Sequence, residues 1–430
     1  WGRDTPNTKV KIITSWGSKT STVSDLEGFW STSIKTKQAS FQPQSIRIEG
    51  SNTKKLKNIL IGEVWFCSGQ SNMEMPLKGL GKSKVLNAKE YLKSAKNKNI
   101  RLFNNARTAA VFPCFDVNGE WVESNASSAE KFSAIGYMFG TKLYETLNVP
   151  IGIIESAWGG TRIESWIPKE TLLKYKGIKF ISSLPKEQNK QKKPSFLYNA
   201  MIHPFQNFSI KGVLWYQGES NRSQPEPYYG YMKDLIGSWR SQWQNKNLPF
   251  YFVQIAPYNY TKYRKSPGIK ANKIREAQLK IAQEIKNTEM VVTTDAGDCD
   301  DIHPSRKEII AKRLASIALS QQYGFKSLVY RSPEFKTISI RNNQAVLNFK
   351  FHKNDFFVGN ENVKGFVIAS SDRKFYEAKV RYGKDKKSLL LYSDKVKKPV
   401  AVRYGYEDCF ENNLKTNSGL PISVFRTDNW

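Results

Sequence analysis

Between residue 59 and about residue 325, short apolar runs alternate with stretches of helical period, and this alternation restricts the fold more than any other feature of the chain. Residues 59–61 with 64–66, then 149–154, 212–216, 250–255 and 290–294, are brief and almost wholly apolar, as strands buried on both faces must be. Between them, Phe132, Ile135, Phe139, Leu143 and Leu147 recur every three or four residues. So do Tyr228, Met232, Leu235, Ile236, Trp239 and Trp243, and then Ile274, Ala277, Ile281 and Ile285. Such spacing lays an apolar stripe along one side of a helix. Strand and helix in alternation specify an α/β fold, a parallel sheet with helices on both sides. The aromatic side chains on these stripes are read as core.

The flanks lack helices. Residues 1–58 alternate apolar and polar in short pieces, such as Val10-Lys11-Ile12-Ile13 and Ser45-Ile46-Arg47-Ile48, and read as a β-rich segment whose first strand is cut short. Residues 326–430 return to short strands with no helix between them, which predicts a β-sandwich-like module packing with the N-terminal strands. A chain of 430 residues exceeds one typical domain, so a catalytic-sized unit over 59–325 with these accessories fits the length. Residues 172–200 hold a polar, lysine-rich insertion expected to lie on the surface.

The net charge of +29 is scattered, with short clusters only at 186–193, 384–387 and 395–398, so a solvated lysine-rich surface is expected and no nucleic-acid partner. No apolar run is long enough to span a bilayer, and Trp1 at the start favours a trimmed chain. Cys67, Cys114, Cys299 and Cys409 share no C-x-x-C spacing, which argues against a zinc site; spacing leaves their disulfide state open.

Chemistry gathers where the predicted strands end, because an open α/β sheet binds ligands outside the carboxyl ends of its strands. The first strand stops at Ser68-Gly69-Gln70-Ser71-Asn72 and presents Ser71 as a candidate nucleophile. Only His203, His303 and His352 could activate it. His303 lies in Asp298-Cys299-Asp300-Asp301-Ile302-His303-Pro304, after another strand, with Asp300 and Asp301 in reach to fix its tautomer. Two further loops offer donors for an oxyanion: Gly159 and Gly160 with their N–H groups, and Gln217 with its side-chain amide, alongside the N–H of Ser71. Arg162 is placed either to meet an acidic sugar or to pair with Glu164, and His203 either in the core or lining an acyl pocket.

The block Gly62-Glu63-Val64-Trp65-Phe66-Cys67-Ser68-Gly69-Gln70-Ser71-Asn72-Met73-Glu74 resembles the nucleophile motif of the sialate O-acetylesterases, within the SGNH-hydrolase superfamily. Ser156-Ala157-Trp158-Gly159-Gly160-Thr161, Trp215-Tyr216-Gln217-Gly218-Glu219-Ser220-Asn221 and Asp301-Ile302-His303-Pro304 are similar to its other blocks, in order, and the closing Phe425-Arg426-Thr427-Asp428-Asn429-Trp430 to its C-terminus. The resemblance implies a flavodoxin-like, three-layer catalytic domain, no metal or other cofactor, and a secreted or periplasmic chain. It also implies hydrolysis of an O-acetyl ester on a sugar. Ser71 then matches the nucleophile and His303 the base. The superfamily's D-x-x-H pattern selects Asp300 and the Asp-Ile-His-Pro block selects Asp301. Gln217 stands where an oxyanion Asn is expected. Other acetylated polysaccharides such as xylan, and glycan binding without turnover, are the competing functions.

Overall fold

The computed structural model describes residues 1–184, 190–264, 269–359 and 362–430; residues 185–189, within the lysine-rich insertion, lie outside them. A seven-stranded sheet forms the centre, in the spatial order Thr288–Val291, Phe250–Val253, Gly212–Tyr216, Glu63–Gly69, Ile151–Ala157, Asn97–Asn104 and Trp121–Ser124. All neighbours are parallel except the last pair, where Trp121–Ser124 runs antiparallel to Asn97–Asn104.

Side chains alternate across this sheet and build two cores. Trp65, Cys67, Leu214, Tyr216 and Val253 face helices Ala134–Leu147 and Lys307–Gln322. Phe66, Val213, Trp215, Phe250 and Phe252 face helices Tyr228–Gln242 and Ile269–Glu284. The predicted apolar stripes supply both layers, and the aromatic residues on them are buried core apart from Trp243, which is partly buried just past the end of its helix.

The structure departs from expectation in three places. The run 59–66, read as one strand, is two: Thr53–Ile61 completes the N-terminal antiparallel sheet, and the central strand starts after Gly62. A side chain at Gly62 would collide with the Pro150 carbonyl, so the chain changes sheets at the residue that can make the approach. The insertion at 172–200 is not wholly superficial, since Phe196, Leu197, Tyr198 and Ala200 are buried in the second core. Finally, the two β regions do not make one accessory module. The N-terminal strands meet the Asn97–Asn104 side of the sheet, through Asn58 with Arg101 and Glu123 and Phe41 with Tyr144. The C-terminal strands form two four-stranded antiparallel sheets around their own core and pack near the opposite edge, where Ser423 and Ile422 bond Gln254 and Thr294.

Candidate active site

Four strand-end loops converge at the carboxyl edge. The strand Glu63–Gly69 ends with φ of +136° at Gly69 and no room for a side chain: a Cβ there would stand 2.2 Å from the Tyr216 carbonyl oxygen. Glycine alone permits the crossing, and it delivers Ser71 to the first position of the short helix Ser71–Glu74. Ser71 Oγ lies 2.9 Å from His303 Nε2, although 232 residues separate them. That distance allows a serine proton to pass to an imidazole.

Aspartates fold the histidine loop. Asp298 accepts the N–H groups of Asp300 (2.9 Å) and Asp301 (3.3 Å), and Asp301 Oδ1 accepts the N–H of His303 at 2.8 Å. Oδ1 of Asp301 also stands 3.9 Å from His303 Nδ1. Asp300 points elsewhere: its carboxylate bonds Tyr263 and Lys262, which hold it below the usual carboxylate range, and its side chain is 71% exposed. Of the two acids the sequence offers, Asp301 faces the imidazole.

Two expected oxyanion donors are committed inside the protein. Gln217 is fully buried, and its amide nitrogen donates to Asn221 Oδ1 (2.8 Å) and the Thr161 carbonyl (3.1 Å). It therefore bridges loops and is not aimed at a substrate. The Gly159 N–H donates to Glu74 Oε2 at 2.8 Å, and Glu74 in turn pairs with Arg107. Gly159 nonetheless abuts Ser71, since a Cβ on it would meet that of Ser71 at 3.1 Å. Gly160, with φ of +70°, has open space on its Cβ side.

Arg162 bonds Ser223 (3.0 Å) and Gln224 (3.3 Å), not Glu164, whose carboxylate accepts from Asn221. Among the described residues no carboxylate lies within ion-pair distance of Arg162. His203 takes a structural place, with Nδ1 2.8 Å from the Cys114 carbonyl oxygen and ring edges against Phe115 and Tyr198. His352 sits beside Tyr330 in the C-terminal region.

Several residues near the site escaped sequence reasoning. Asn72 Nδ2 donates to Glu219 Oε1 at 2.8 Å and to the Ile302 carbonyl at 3.0 Å, while Lys307 Nζ donates to Asn72 Oδ1. Burial pushes the Lys307 ammonium down to about 7, against the pull of Glu219 and Asp301. Burial raises Glu219, and it raises Glu74 despite Arg107 and the Gly159 N–H. Glu155, wholly buried beside Glu74, is pushed well above the carboxylate range by desolvation and that neighbour. Asn72 and Glu74 lie one and three residues after Ser71, which was the available signal. Lys307, four residues past His303, gave none. Cys299 and Cys409 form a disulfide that ties the histidine loop to the C-terminal region.

The family model described as "Carbohydrate esterase, sialic acid-specific acetylesterase" matches residues 61–320, which include all four loops. The chain belongs to this family of carbohydrate esterases. It is accordingly a carboxylic ester hydrolase. The sialate O-acetylesterase of Mus musculus is 31% identical over 433 aligned residues, covering 87% of this chain and 78% of that protein. The Homo sapiens sialate O-acetylesterase is 32% identical, covering 70% and 61%. A solved carbohydrate acetylesterase from Xanthomonas citri superposes with a TM-score of 0.89 at 33% identity, over 100% of this chain and 95% of that one.

Proposed function

We propose that this esterase removes O-acetyl groups from a sugar through an acyl-enzyme on Ser71. The observation that carries the reading is the 2.9 Å approach of Ser71 Oγ to His303 Nε2 at the carboxyl edge of a parallel sheet. His303 takes the Ser71 proton as Oγ attacks the acetyl carbonyl carbon. The tetrahedral oxyanion is held by the N–H groups of Ser71 and Gly160. Its collapse expels the sugar alkoxide, which receives the proton from His303. Water then gives a proton to the same imidazole as it attacks the acetyl-serine; collapse breaks the bond to Ser71 Oγ, which takes that proton back from His303, and acetate leaves. Asp301 is the acid that orients and stabilises the imidazolium.

The proposed core is an SGNH-hydrolase domain. Its loop-bearing strands Ile151–Ala157, Glu63–Gly69, Gly212–Tyr216, Phe250–Val253 and Thr288–Val291 lie in the flavodoxin order 2-1-3-4-5, with the Asn97–Asn104 and Trp121–Ser124 strands added at one edge. The β-rich regions before residue 62 and after residue 325 are accessories to it. A secreted or periplasmic setting agrees with the Cys299–Cys409 disulfide. Among the described residues no helix is long and apolar enough to cross a membrane.

The names of the relatives give two substrate classes, sialate and other carbohydrate. The guanidinium of Arg162, bonded among the described residues to the neutral acceptors Ser223 and Gln224, favours an acidic sugar. The test is acetate release from O-acetylated sialic acid and from acetylated xylan. Ser71→Ala should abolish release from either. Arg162→Ala should raise KM for the acidic sugar and leave xylan turnover unchanged. Wild-type release by a folded Ser71→Ala variant would remove the nucleophile assignment, and an equal effect of Arg162→Ala on both substrates would remove the preference for acid.

A further inference from the structure

We infer that Lys307, acting through Asn72, is a positioning residue that sets the geometry of the Ser71–His303 pair; the inference rests on those two residues being nucleophile and base. Lys307 has no exposed surface and lies with its ammonium 5.8 Å from the centre of the Tyr216 ring. Burying an ammonium is costly, and a lysine serving only to fill space would be replaced by an apolar residue without loss. Among the described residues this one ends on a single hydrogen-bond acceptor, the side-chain oxygen of the residue that follows Ser71.

The chemistry of the donor fixes the acceptor. An ammonium can only donate, so Asn72 must turn its oxygen toward Lys307 and its nitrogen the other way. The two amide hydrogens are then aimed at Glu219 Oε1 and at the carbonyl of Ile302. Ile302 immediately precedes His303, just as Ser71 immediately precedes Asn72. One oriented amide therefore joins the backbones on both sides of the Ser71–His303 contact, and Glu219 anchors it to a third strand-end loop. Without Lys307 the amide can flip. Its oxygen would then face the Ile302 carbonyl, and two acceptors would push the histidine loop away from the serine.

Such a displacement acts on reactivity and not on substrate affinity. Misplacement of reacting groups by about 1 Å costs up to about a hundredfold in rate. The test uses Lys307→Met, which keeps length without charge, and Asn72→Asp, which keeps an acceptor for Lys307 but cannot donate to Ile302. The readouts are kcat and KM on a simple acetyl ester, the rate of covalent capture of Ser71 by an organophosphonate, and the thermal midpoint as a check on folding. Both variants should lose about tenfold to a hundredfold in kcat and in capture rate, with KM within about threefold of the parent. Asn72→Asp, whose lysine remains paired, supplies the answer should Lys307→Met fail to fold. A capture rate within twofold of the parent in either folded variant overturns the inference, as does a change confined to KM. Ser71→Ala separates the two levels: if it stays active, the nucleophile reading itself falls. If it is inactive while Lys307→Met is intact, only the positioning role is lost.

Discussion

Asp300 and Asp301 are adjacent in the chain, yet one carboxylate turns to Lys262 and Tyr263 and the other toward His303, because successive residues of a loop point their side chains in different directions. Asp301→Asn should lower kcat by about 10²–10⁴, since it leaves the imidazole without its anionic partner. Asp300→Asn should stay within about twofold, because it removes only an exposed pairing with Lys262 and Tyr263. Steady-state acetate release on the two variants decides the matter, and the reverse ranking would refute the placement of Asp301. The chain order alone could not choose between them. Gln217 turns inward for a related reason: a side-chain amide goes where its bonds are satisfied, and its nitrogen is already bonded to Asn221 Oδ1 and the Thr161 carbonyl. A second residue-scale expectation concerns Glu155. Its native pKa is raised, so above the ordinary glutamate range the unfolded chain releases a proton that the native state retains, and stability falls as pH rises toward the native pKa. Glu155→Gln removes that dependence. Its thermal midpoint relative to the parent should therefore increase from pH 5 to pH 8; a difference that is constant or shrinks with pH would contradict the assignment.

Elements were the most legible level of this sequence. Buried strands and amphipathic helices announce themselves by period, so the Gly212–Tyr216 and Tyr228–Gln242 pair was visible before any coordinate. The Asn97–Asn104 strand was not, because polar residues interrupt its apolar positions at Ile100, Leu102 and Phe103. Ser71 and His303 were singled out because strand ends are where ligands bind in such sheets, whereas the Lys307–Asn72 contact depends on helix Lys307–Gln322 meeting the Ser71 turn in space. The histidine loop also has a tether that spacing could not reveal. Cys299 lies four residues before His303, and its bond to Cys409 closes a loop of sequence separation 110. In the chain-entropy account a closure of that length stabilises by about 4–5 kcal/mol. The Cys299→Ser/Cys409→Ser variant should melt several degrees below the parent in a thermal scan, and should lose kcat as the loop slackens. An unchanged midpoint would mean that the bond contributes nothing to holding this loop.

At the scale of the whole molecule, the C-terminal β region is bound into the catalytic core by more than that one covalent link. Arg275, fully buried on helix Ile269–Glu284, donates to the carbonyls of Glu407 (3.2 Å) and Asp408 (3.3 Å) as well as to Ile255 and Ala256. Arg313 pairs with Asp295 and reaches the Gly419 carbonyl at 3.1 Å; Gln254 and Thr294 bond Ser423 and Ile422. Asp408 receives the N–H of Thr261. These contacts lie just past the carboxyl ends of the strands Phe250–Val253 and Thr288–Val291, beside the loop that carries His303, so the region packs against that edge of the sheet. Removing it would leave a buried guanidinium without its Glu407 and Asp408 carbonyl acceptors, a loss on the order of 1.5–3 kcal/mol for each hydrogen bond to a charged group. It would also uncover the polar groups of Gln254 and Thr294. A chain ending at residue 325 should therefore be insoluble, or melt far below the full chain and release no acetate, whereas the full chain should show both regions unfolding in one calorimetric transition. Separate transitions in the full chain, or a soluble shortened chain with parental kcat, would show that the catalytic edge is self-sufficient and that these contacts only attach a neighbour.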